Sequence, residues 1–333
     1  MKSQFINSII KILSAAAFFS LVIYLAAVFI FLPDISLSNI SEPNQSGEIR
    51  ALFFGDLMLD RHVGEKIEIN GIDWIFEKLA EAKFFSNYDL VSANLEGAVT
   101  DGGDHYPPDN VYDFAFDPEK ISALKKYNFT FFNLANNHFS DQGDRGIIET
   151  RANLERLGFD YSGCFDGKVS ADCSATIIEL NGKKIGIAGF SSVYSLIDIE
   201  AAQKIISDLK KETDWVIVNL HSGVEYEHNT DSVQIKIAHS LIDAGADAII
   251  GHHPHVVQGM EAYNGKPIFY SLGNFVFDQY FSPDTQEELA VSLILKDNGE
   301  IEYELFPLIS SGSQVDLMSG EEKDAFLKKF KNW

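Results

Sequence analysis

Six short apolar runs, each with metal- or proton-binding side chains at or near its end, constrain this fold more than any other feature of the sequence. They cover residues 49–56, 88–96, 129–138, 214–223, 246–255 and 267–275. Their lengths are typical of buried β-strands, and amphipathic stretches that fit helices lie between several of them. Strands that alternate with helices predict an α/β fold, with parallel strands and helices on the outer faces.

Other patterns predict a second sheet or a mixed one. Residues 175–190 are typical of a β-hairpin, with Asn181-Gly182 as the two-residue turn between its strands. Further strand patterns follow near residues 289–306. A purely parallel sheet has no hairpins, so these segments indicate antiparallel additions.

The polar residues at the ends of the six runs are all carboxylates, amides or imidazoles. They are Asp56, Asn94, Glu96, Asn136, Asn137, His138, His221, His253, His255 and Asn274. Any one of them alone has an ordinary explanation, because Asp56 suits a helix N-cap and His221 suits a core histidine. Ligands of α/β sheets bind beyond the carboxyl ends of the strands, so six such ends predict one converging site. The residue types fit Zn, Mn or Fe without a thiolate.

The stretch GHHPH at residues 251–255 holds three of the nine histidines. Proline disfavours helix for the residue before it, so His253 is expected to be extended. Residues two apart in an extended chain point the same way, which directs His253 and His255 toward a shared ion or ion pair. His252 then points to the other side and is expected to support the site through a hydrogen bond. Gly251 is expected to let the chain turn sharply out of the sheet.

Residues 12–32 contain no charged side chain. A helix of this length spans roughly 30 Å, the thickness of the hydrocarbon core of a bilayer. A cleaved secretory signal is the alternative, but its apolar region is only about 7–15 residues long, so we favour an uncleaved anchor. Because Lys2 and Lys11 precede the span, the positive-inside rule places residues 1–11 in the cytoplasm and the rest of the chain outside the cell membrane.

Residues 33–48 are rich in Pro, Ser and Asn and lack apolar periodicity, which predicts a linker. Residues 49–333 then form one extracytoplasmic domain. Its two cysteines, Cys164 and Cys173, lie nine positions apart. An oxidising exterior would permit a disulfide between them, but two free thiols are equally compatible with the spacing.

The formal net charge of −23 limits the partners of this chain. Such a surface repels phosphate backbones, so we expect no binding to nucleic acid. It suits a domain that binds cations. An anionic polymer or a phosphoester substrate would need help from metal ions or from a local basic patch.

Six motifs, in their order along the chain, resemble those of the CapA-type capsule-synthesis family, which is placed in the calcineurin-like metallophosphoesterase superfamily. They are FFGDLMLDR, ANLEG, NLANNH, NLHSGVEYEH, GHHPHVVQG and FYSLGNFVFDQ. The resemblance covers residues 49–280 and implies a sandwich of two β-sheets flanked by helices in α-β-β-α layers. It also implies a site for two divalent metal ions and a link to poly-γ-glutamate, a polymer of bacterial cell surfaces.

The resemblance implies roles for individual residues. The implied metal ligands are Asp56, Glu96, Asn137, His221, His253 and His255, with His138 as proton donor. Glu96 is preferred to Asn94 as the bridging ligand because a bridge needs negative charge. Arg61, near the first strand end, is expected to hold an anionic oxygen. Residues expected to support the ligands or to contact the substrate are Asn94, Asn136, Glu225, His252 and Asn274.

The chain also departs from the superfamily pattern. The usual opening is Asp-x-His, whereas Leu57-Met58 follows Asp56, so one histidine ligand is missing. We favour a metal-dependent hydrolase or transferase of surface-polymer biosynthesis, with membrane subunits of a polymer synthase as partners. A non-catalytic subunit of the same assembly and a general extracellular phosphoesterase are the alternatives.

Overall fold

The computed structural model describes residues 48–108 and 110–331. The predicted membrane span at residues 12–32 and the cytoplasmic segment before it lie outside the described residues, as does the predicted linker apart from residue 48. In the part of the chain that is described, no helix combines the length and the apolar character needed to cross a bilayer.

The described residues contain sixteen strands, seven α-helices and two short 3-10 helices, Asp101–Gly103 and Leu124–Tyr127. The strands are β1 (Ile49–Leu57), β2 (Leu90–Leu95), β3 (Ala98–Val99), β4 (Ala115–Phe116), β5 (Phe131–Asn133), β6 (Asp160–Ser162), β7 (Ala175–Leu180), β8 (Lys183–Ser192), β9 (Trp215–Ser222), β10 (Ala248–His252), β11 (Met260–Tyr263), β12 (Lys266–Phe269), β13 (Asn274–Val276), β14 (Glu287–Leu295), β15 (Ile301–Ser311) and β16 (Gln314–Leu317). The helices are α1 (Arg61–Asn70), α2 (Asp73–Glu81), α3 (Pro118–Ala123), α4 (Gly143–Leu157), α5 (Ile199–Glu212), α6 (Ser232–Asp243) and α7 (Gly320–Phe330).

The strands form two large sheets and one small one. The first sheet has eight strands, in the order β16-β15-β14-β1-β2-β5-β6, with β13 beside the end of β1. The second has six, in the order β11-β12-β10-β9-β8-β7, and β3 pairs with β4. Strands β1, β2, β5 and β6 run parallel, as do β8, β9, β10 and β12. The hairpins at β7, β11 and β14–β16 add antiparallel pairs, so the predicted parallel strands with antiparallel additions are confirmed.

Three apolar cores show how the layers stack. Phe53 of β1 and Ile217 of β9 belong to the core between the two sheets. The next residue of β1, Phe54, points to the other face and packs with Phe76 of α2. Val218 of β9 likewise faces α5 and α6 on the far side of the second sheet. Successive side chains of a strand point to opposite faces. The sheets therefore face each other and helices cover their outer faces, which gives a mixed α/β fold.

The predicted hairpin is confirmed at its turn. Leu180 pairs with Lys183, and the two residues between them, Asn181 and Gly182, have φ angles of 52° and 77°. Positive φ at both central positions gives a turn that matches the right-handed twist of the strands. Asparagine and glycine adopt this conformation more readily than other residues, so local chemistry alone predicted this element.

The prediction of one continuous strand at residues 267–275 is wrong. It divides into β12 of the second sheet and β13 of the first, and the chain crosses between the sheets at residues 270–273. Gly273 within this crossing has a φ of +73°. Asn274 therefore begins a strand, in register with Asp56 of β1, and does not end one. Apolar periodicity looks the same whether or not a run changes sheet.

Cys164 and Cys173 are joined by a disulfide, with their Cα atoms 5.3 Å apart. The loop that it closes contains Asp166. The carboxylate of Asp166 accepts hydrogen bonds from the backbone N–H groups of Val193 and Tyr194, at 2.8 and 3.0 Å. The cross-linked loop therefore anchors the segment that follows β8.

Candidate metal centre

A buried amide organises the first group of predicted site residues. Nδ2 of Asn94, in β2, lies 2.8 Å from Oδ1 of Asp56, in β1. It also lies 3.3 Å from Oε2 of Glu96 and 3.2 Å from Nδ1 of His221. All four side chains are completely buried. An amide nitrogen has two hydrogens, so Asn94 can donate to both carboxylates, and it holds them together beside His221.

Two further amides hold Asn94 in place. Its Oδ1 accepts hydrogen bonds from Nδ2 of Asn133 at 2.8 Å and from Nδ2 of Asn136 at 3.2 Å. Because its oxygen is used in this way, Asn94 supports the ligands, and Glu96 is the better candidate ligand. Asn133 was not among the predicted site residues. Its place as the last residue of β5 is the signal that could have identified it.

Asp56, Glu96 and His221 each offer one ligand atom, and these atoms lie within 4.8 Å of one another. His221 belongs to β9, so the group draws on both sheets. Nε2 of His221 lies 2.7 Å from Oδ1 of Asn137, which brings a fourth predicted ligand to the same place. Two carboxylates, an amide oxygen and an imidazole are a ligand set that suits Zn, Mn or Fe.

A second group consists of Glu225, His253 and His255, whose ligand atoms also lie within 4.8 Å of one another. The ring centroid of His253 is 4.9 Å from that of His221 and 5.9 Å from that of His255. The two groups therefore adjoin. Both histidines of this group are 3% exposed, whereas Glu225 is partly open to solvent.

Asn274 orients His255. Oδ1 of Asn274 lies 2.9 Å from Nδ1 of His255, which is also 3.3 Å from Oδ2 of Asp56. With Nδ1 engaged, Nε2 of His255 is directed toward Oε1 of Glu96, at 3.7 Å. The crossing of the chain between the two sheets is what brings Asn274 to this position.

The backbone of GHHPH differs from the extended chain that we predicted. His253 has a φ of +99° and His255 a φ of +58°. Non-glycine residues adopt such angles only where the surrounding structure holds them, and these residues cluster at functional sites. One such contact is the hydrogen bond of 3.2 Å from the backbone N–H of His253 to Oδ2 of Asp56. The two imidazoles lie near each other, as expected. A strained turn brings them together, whereas we predicted that the alternation of side chains along an extended strand would do so.

Gly251 does not release the chain from the sheet, contrary to our prediction. It lies inside β10, and a Cβ atom at this position would lie 2.0 Å from the carbonyl oxygen of Tyr270. The glycine is needed because the crossing segment at residues 270–273 approaches the strand closely. Absence of a side chain is what matters here, since no turn is made.

His252 remains in β10 and lies beside the carboxylate of Asp56. Its Nδ1 is 3.5 Å from Oδ1 of Asp56, and its Nε2 is 3.2 Å from Oδ1 of Asn219. His252 therefore approaches the same carboxylate as His255, whereas we expected it to point to the other side; its supporting role stays a prediction. Asn219 was not predicted, although it lies two residues before His221 in β9 and therefore on the same face of that strand.

His138 faces the ligands from the loop after β5. Its Nε2 lies 3.8 Å from Oε1 of Glu96, and its Nδ1 lies 2.7 Å from Oδ2 of Asp141. The same oxygen of Asp141 accepts a hydrogen bond from the backbone N–H of Phe114 at 3.1 Å. A carboxylate at Nδ1 keeps a proton there and directs Nε2 to the site. Sequence reasoning missed Asp141, although its spacing of three residues from His138 was visible.

The ring of Phe114 lies between Arg61 and His138. Nε and Nη2 of Arg61 contact the two carboxylate oxygens of Asp278 at 3.0 and 2.6 Å. The guanidinium also packs 5.5 Å from the ring centroid of Phe114, and that ring packs 4.3 Å from the imidazole of His138. A bidentate pair uses the fork with which arginine binds anions. Asp278 therefore already binds two nitrogens of the guanidinium that we expected to hold an anionic oxygen.

The buried carboxylates of this site have the surroundings expected of ligands to a cation. Burial raises the pKa of Glu96 well above its usual value, and the nearby charge of Asp56 adds to the shift. Burial would also raise the pKa of Asp56, but contact with His255 and the other imidazoles holds it well below its usual range. Within residues 48–108 and 110–331, neither carboxylate pairs with a lysine or an arginine. Oε1 of Glu96 is buried without a hydrogen-bond partner there.

Three imidazoles of the site are held in the neutral form, which is the form that binds metals. Burial lowers the pKa of His253 to about 3 and that of His252 to about 4. Burial also lowers the pKa of His221 well below its usual value, and the neighbouring His253 contributes. Neutral imidazoles carry a free lone pair, and Nδ1 of His253 has no hydrogen-bond partner in the described chain. Acidic oxygens and neutral imidazoles without partners fit divalent cations.

The sequence matches a family model described as "Bacterial capsule synthesis protein PGA_cap" over residues 50–279. The PGA biosynthesis protein CapA of Bacillus subtilis (strain 168) is 35% identical over 273 residues, which cover 78% of this chain and 71% of that protein. The Capsule biosynthesis protein CapA of Bacillus anthracis is 33% identical over 291 residues, which cover 81% of this chain and 70% of that protein.

A solved structure of a phosphatase from Mycoplasma pneumoniae has a similar fold. The TM-score is 0.54 at 15% sequence identity, and the match covers 79% of this chain and 94% of that chain. A hypothetical protein from Thermus thermophilus matches with a TM-score of 0.50 at 17% identity, over 78% of this chain and 99% of that chain. Sequence identities this low relate the proteins by fold alone.

Proposed function

Since the chain belongs to the PGA_cap family of bacterial capsule synthesis proteins, we propose that it is a membrane-anchored, extracytoplasmic enzyme of poly-γ-glutamate-type capsule biosynthesis. The names of its CapA relatives support this role. The reaction would be hydrolysis or group transfer at a phosphoryl or carbonyl centre. One observation carries the proposal: ligand atoms of Asp56 and Glu96 from the first sheet meet those of His221 from the second at one buried edge.

Two divalent cations would be held at this edge. Asp56, Glu96, Asn137 and His221 would hold one of them, and His253 and His255 would contribute to the other. Bound cations would supply Lewis acidity toward a substrate oxygen and would lower the pKa of water at the site. The altered opening motif leaves the first group without a second histidine, and Glu96 would provide the negatively charged bridging carboxylate.

His138 would move the proton of the reaction. Asp141 holds the N–H of its Nδ1, so Nε2 faces the site, and the imidazolium form would donate its Nε2 proton to the leaving group and become the neutral imidazole. The ring of Phe114 covers one face of the imidazole and limits access of water. A positioned general acid of this kind contributes about 10²–10⁴-fold to a rate. Asp141 acts through His138 and is a positioning residue.

We propose that the chain has a membrane anchor at its N-terminal side, on the evidence of its sequence. The apolar run at residues 12–32 supports it through its length and its lack of charge. The anchor would hold the catalytic domain at the outer surface of the cell membrane, where a synthase releases polymer. Membrane subunits of such a synthase are the proposed partners.

Metal analysis and activity assays on the purified full chain test this function. The chain is prepared in detergent and its metal content is measured. It is then assayed with Mn²⁺ on poly-γ-glutamate and on a panel of phosphate esters. Alanine variants of Asp56, His221 and His253 should lose metal and at least about 100-fold in rate. His62→Ala is the control, because its side chain is 66% exposed and pairs with Glu65 outside the site.

Other outcomes would favour other functions. A wild-type chain that binds no metal, with no loss in the three alanine variants, would rule out the proposed chemistry. Metal binding without turnover, together with normal polymer in cells that carry His138→Ala, would favour a non-catalytic subunit. Turnover of phosphate esters in a protein whose loss leaves the polymer unchanged would favour a general phosphoesterase.

A further inference from the structure

Glu225 stands beside two histidines of the site, His253 and His255. The ligand atoms of Glu225, His253 and His255 lie within 4.8 Å of one another, apart from the group formed by Asp56, Glu96 and His221. Imidazole binds a metal ion as an uncharged ligand, so two imidazoles alone do not balance the charge of a divalent cation. Nδ1 of His253 is buried and has no hydrogen-bond partner among the described residues, so this imidazole has a nitrogen available to bind a cation.

The loop that carries Glu225 is tied to GHHPH. The backbone N–H of Tyr226 donates to the carbonyl oxygen of Pro254 at 2.8 Å. Gly223 and Tyr226 have φ angles of +116° and +66°, so the chain on both sides of Glu225 is in the left-handed region. Tyr226 carries a Cβ, and its conformation is costly unless surrounding contacts maintain it. The loop is therefore held in a shape that keeps the carboxylate against the two imidazoles.

The two ligand groups differ in their exposure to solvent. Asp56, Glu96 and His221 are completely buried. Glu225 is partly exposed, and it is flanked by Val224, which is 53% exposed. A cation among the buried residues would exchange slowly, because ligands on both sheets would have to separate. A cation at Glu225 would exchange faster, because one ligand can turn out to solvent.

We propose that Glu225 is the carboxylate ligand of an outer, exchangeable cation subsite completed by His253 and His255. The inference rests on the two-cation site of the proposed function and adds the residue that makes the second subsite possible. Two imidazoles and one carboxylate suit Mn, Fe or Zn. The inner subsite of Asp56, Glu96 and His221 would then bind its ion first and more tightly.

Titration of the metal-free full chain with Mn²⁺ tests the subsite without an assay of activity. Wild-type protein in detergent should bind two ions in two steps, which calorimetry measures. Its electron paramagnetic resonance spectrum should be that of paired manganese. Glu225→Gln should keep the tighter step. It should weaken the looser one by more than the roughly 10–100-fold that loss of an outer-shell partner costs. The spectrum should become that of isolated manganese.

Glu227→Gln is the matched control, because Glu227 lies two residues away in the same loop and is exposed. It should bind two ions like the wild type. Two unchanged steps in Glu225→Gln would overturn the inference while leaving the two-cation site of the proposed function intact. A single ion in the wild type would overturn the inference together with that two-cation site. A wild-type chain that binds no ion would instead contradict the proposed function itself.

Discussion

Nε2 of His221 lies 2.7 Å from Oδ1 of Asn137, a residue 84 positions earlier in the chain. Asn137 follows β5 of the first sheet, and His221 belongs to β9 of the second. The contact therefore fixes the two sheets relative to each other at the edge where the candidate ligands meet. Changes that separate these two strand ends would disturb the whole centre.

Removal of metal should lower the thermal stability of the chain. Asp56 and Glu96 are both completely buried, and a cation would compensate for their proximity. A ligand at 100 times its Kd stabilises a protein by about 2.7 kcal/mol. Since 1 kcal/mol corresponds to roughly 2–4 °C in a large domain, EDTA should lower the Tm by about 5–10 °C.

Differential scanning calorimetry with and without EDTA measures this effect. Asp56→Asn should show a clearly smaller difference between the two conditions, because the variant no longer binds the inner cation tightly. A wild-type Tm that does not respond to EDTA, after metal analysis has shown that the ion was removed, would argue against a cation between the two carboxylates.

Substitution of Asp141 should slow the reaction through His138. Asp141→Asn leaves the imidazole without the carboxylate that lies 2.7 Å from its Nδ1. We expect a fall in kcat of about 10-fold or more, and a larger fall of about 10²–10⁴-fold in His138→Ala. KM should change little, since neither residue is a proposed ligand of metal or substrate.

The leaving group separates a role in proton transfer from a structural one. A nitrophenyl ester needs little protonation on departure, so both variants should lose less activity on it than on an alkyl ester. Equal losses on the two esters would indicate that the substitutions damage the site in general and would count against His138 as the proton donor.

Glu288 should make the stability of the fold depend on pH. Its side chain in β14 is buried, and neither carboxylate oxygen has a hydrogen-bond partner in the part of the chain described. Burial raises its pKa well above the usual value. The unfolded chain has a carboxyl pKa of about 4.3, so the folded state holds the proton more tightly. Its contribution to stability is complete below that pH and is lost as the pH rises toward the folded pKa.

Urea unfolding of the wild type and of Glu288→Gln is measured from about pH 5 to about pH 8. The contribution of Glu288 to stability declines over this range. The free energy of unfolding of the wild type should fall relative to that of the variant, by up to about 1.4 kcal/mol per pH unit. Glu321→Gln, in the exposed first turn of α7, should follow the wild type. Parallel pH profiles for the wild type and Glu288→Gln would show that Glu288 is solvated or paired.

Gly251→Ala should destabilise the fold and displace GHHPH. The added Cβ would lie 2.0 Å from the carbonyl oxygen of Tyr270, a backbone atom that cannot move alone. We expect a loss of about 2 kcal/mol or more, because the strand must separate from the crossing segment. Metal affinity should fall with it, since His253 and His255 follow directly.

Gly64→Ala is the matched control for this prediction. Gly64 lies inside α1, and the nearest atom to an added Cβ is 3.4 Å away, an ordinary contact. Alanine there should be neutral or should stabilise by about 0.5–1 kcal/mol. Chemical denaturation of both variants, together with Mn²⁺ titration, distinguishes crowding at Gly251 from a general effect of replacing glycine.

Local chemistry was sufficient for much of the fold and for the composition of the site. Apolar runs located the main strands, and Asn181-Gly182 located a hairpin turn. Polar residues at the run ends predicted which side chains would converge, and Asp56, Glu96 and His221 do so. These features depend on a few neighbouring residues, so the sequence displays them directly.

Contacts between distant segments were decided only by the tertiary structure. Periodicity could not show that the chain changes sheets before Asn274, nor that Asp278 takes up the guanidinium of Arg61 from 217 positions away. It could not show that Glu225 would reach His253, because a strained turn sets that approach. The sequence alone determined which groups could form a metal site. Packing of two sheets, each ending at the same edge, decided which atoms meet, since distances across the sheets are not encoded in spacing along the chain.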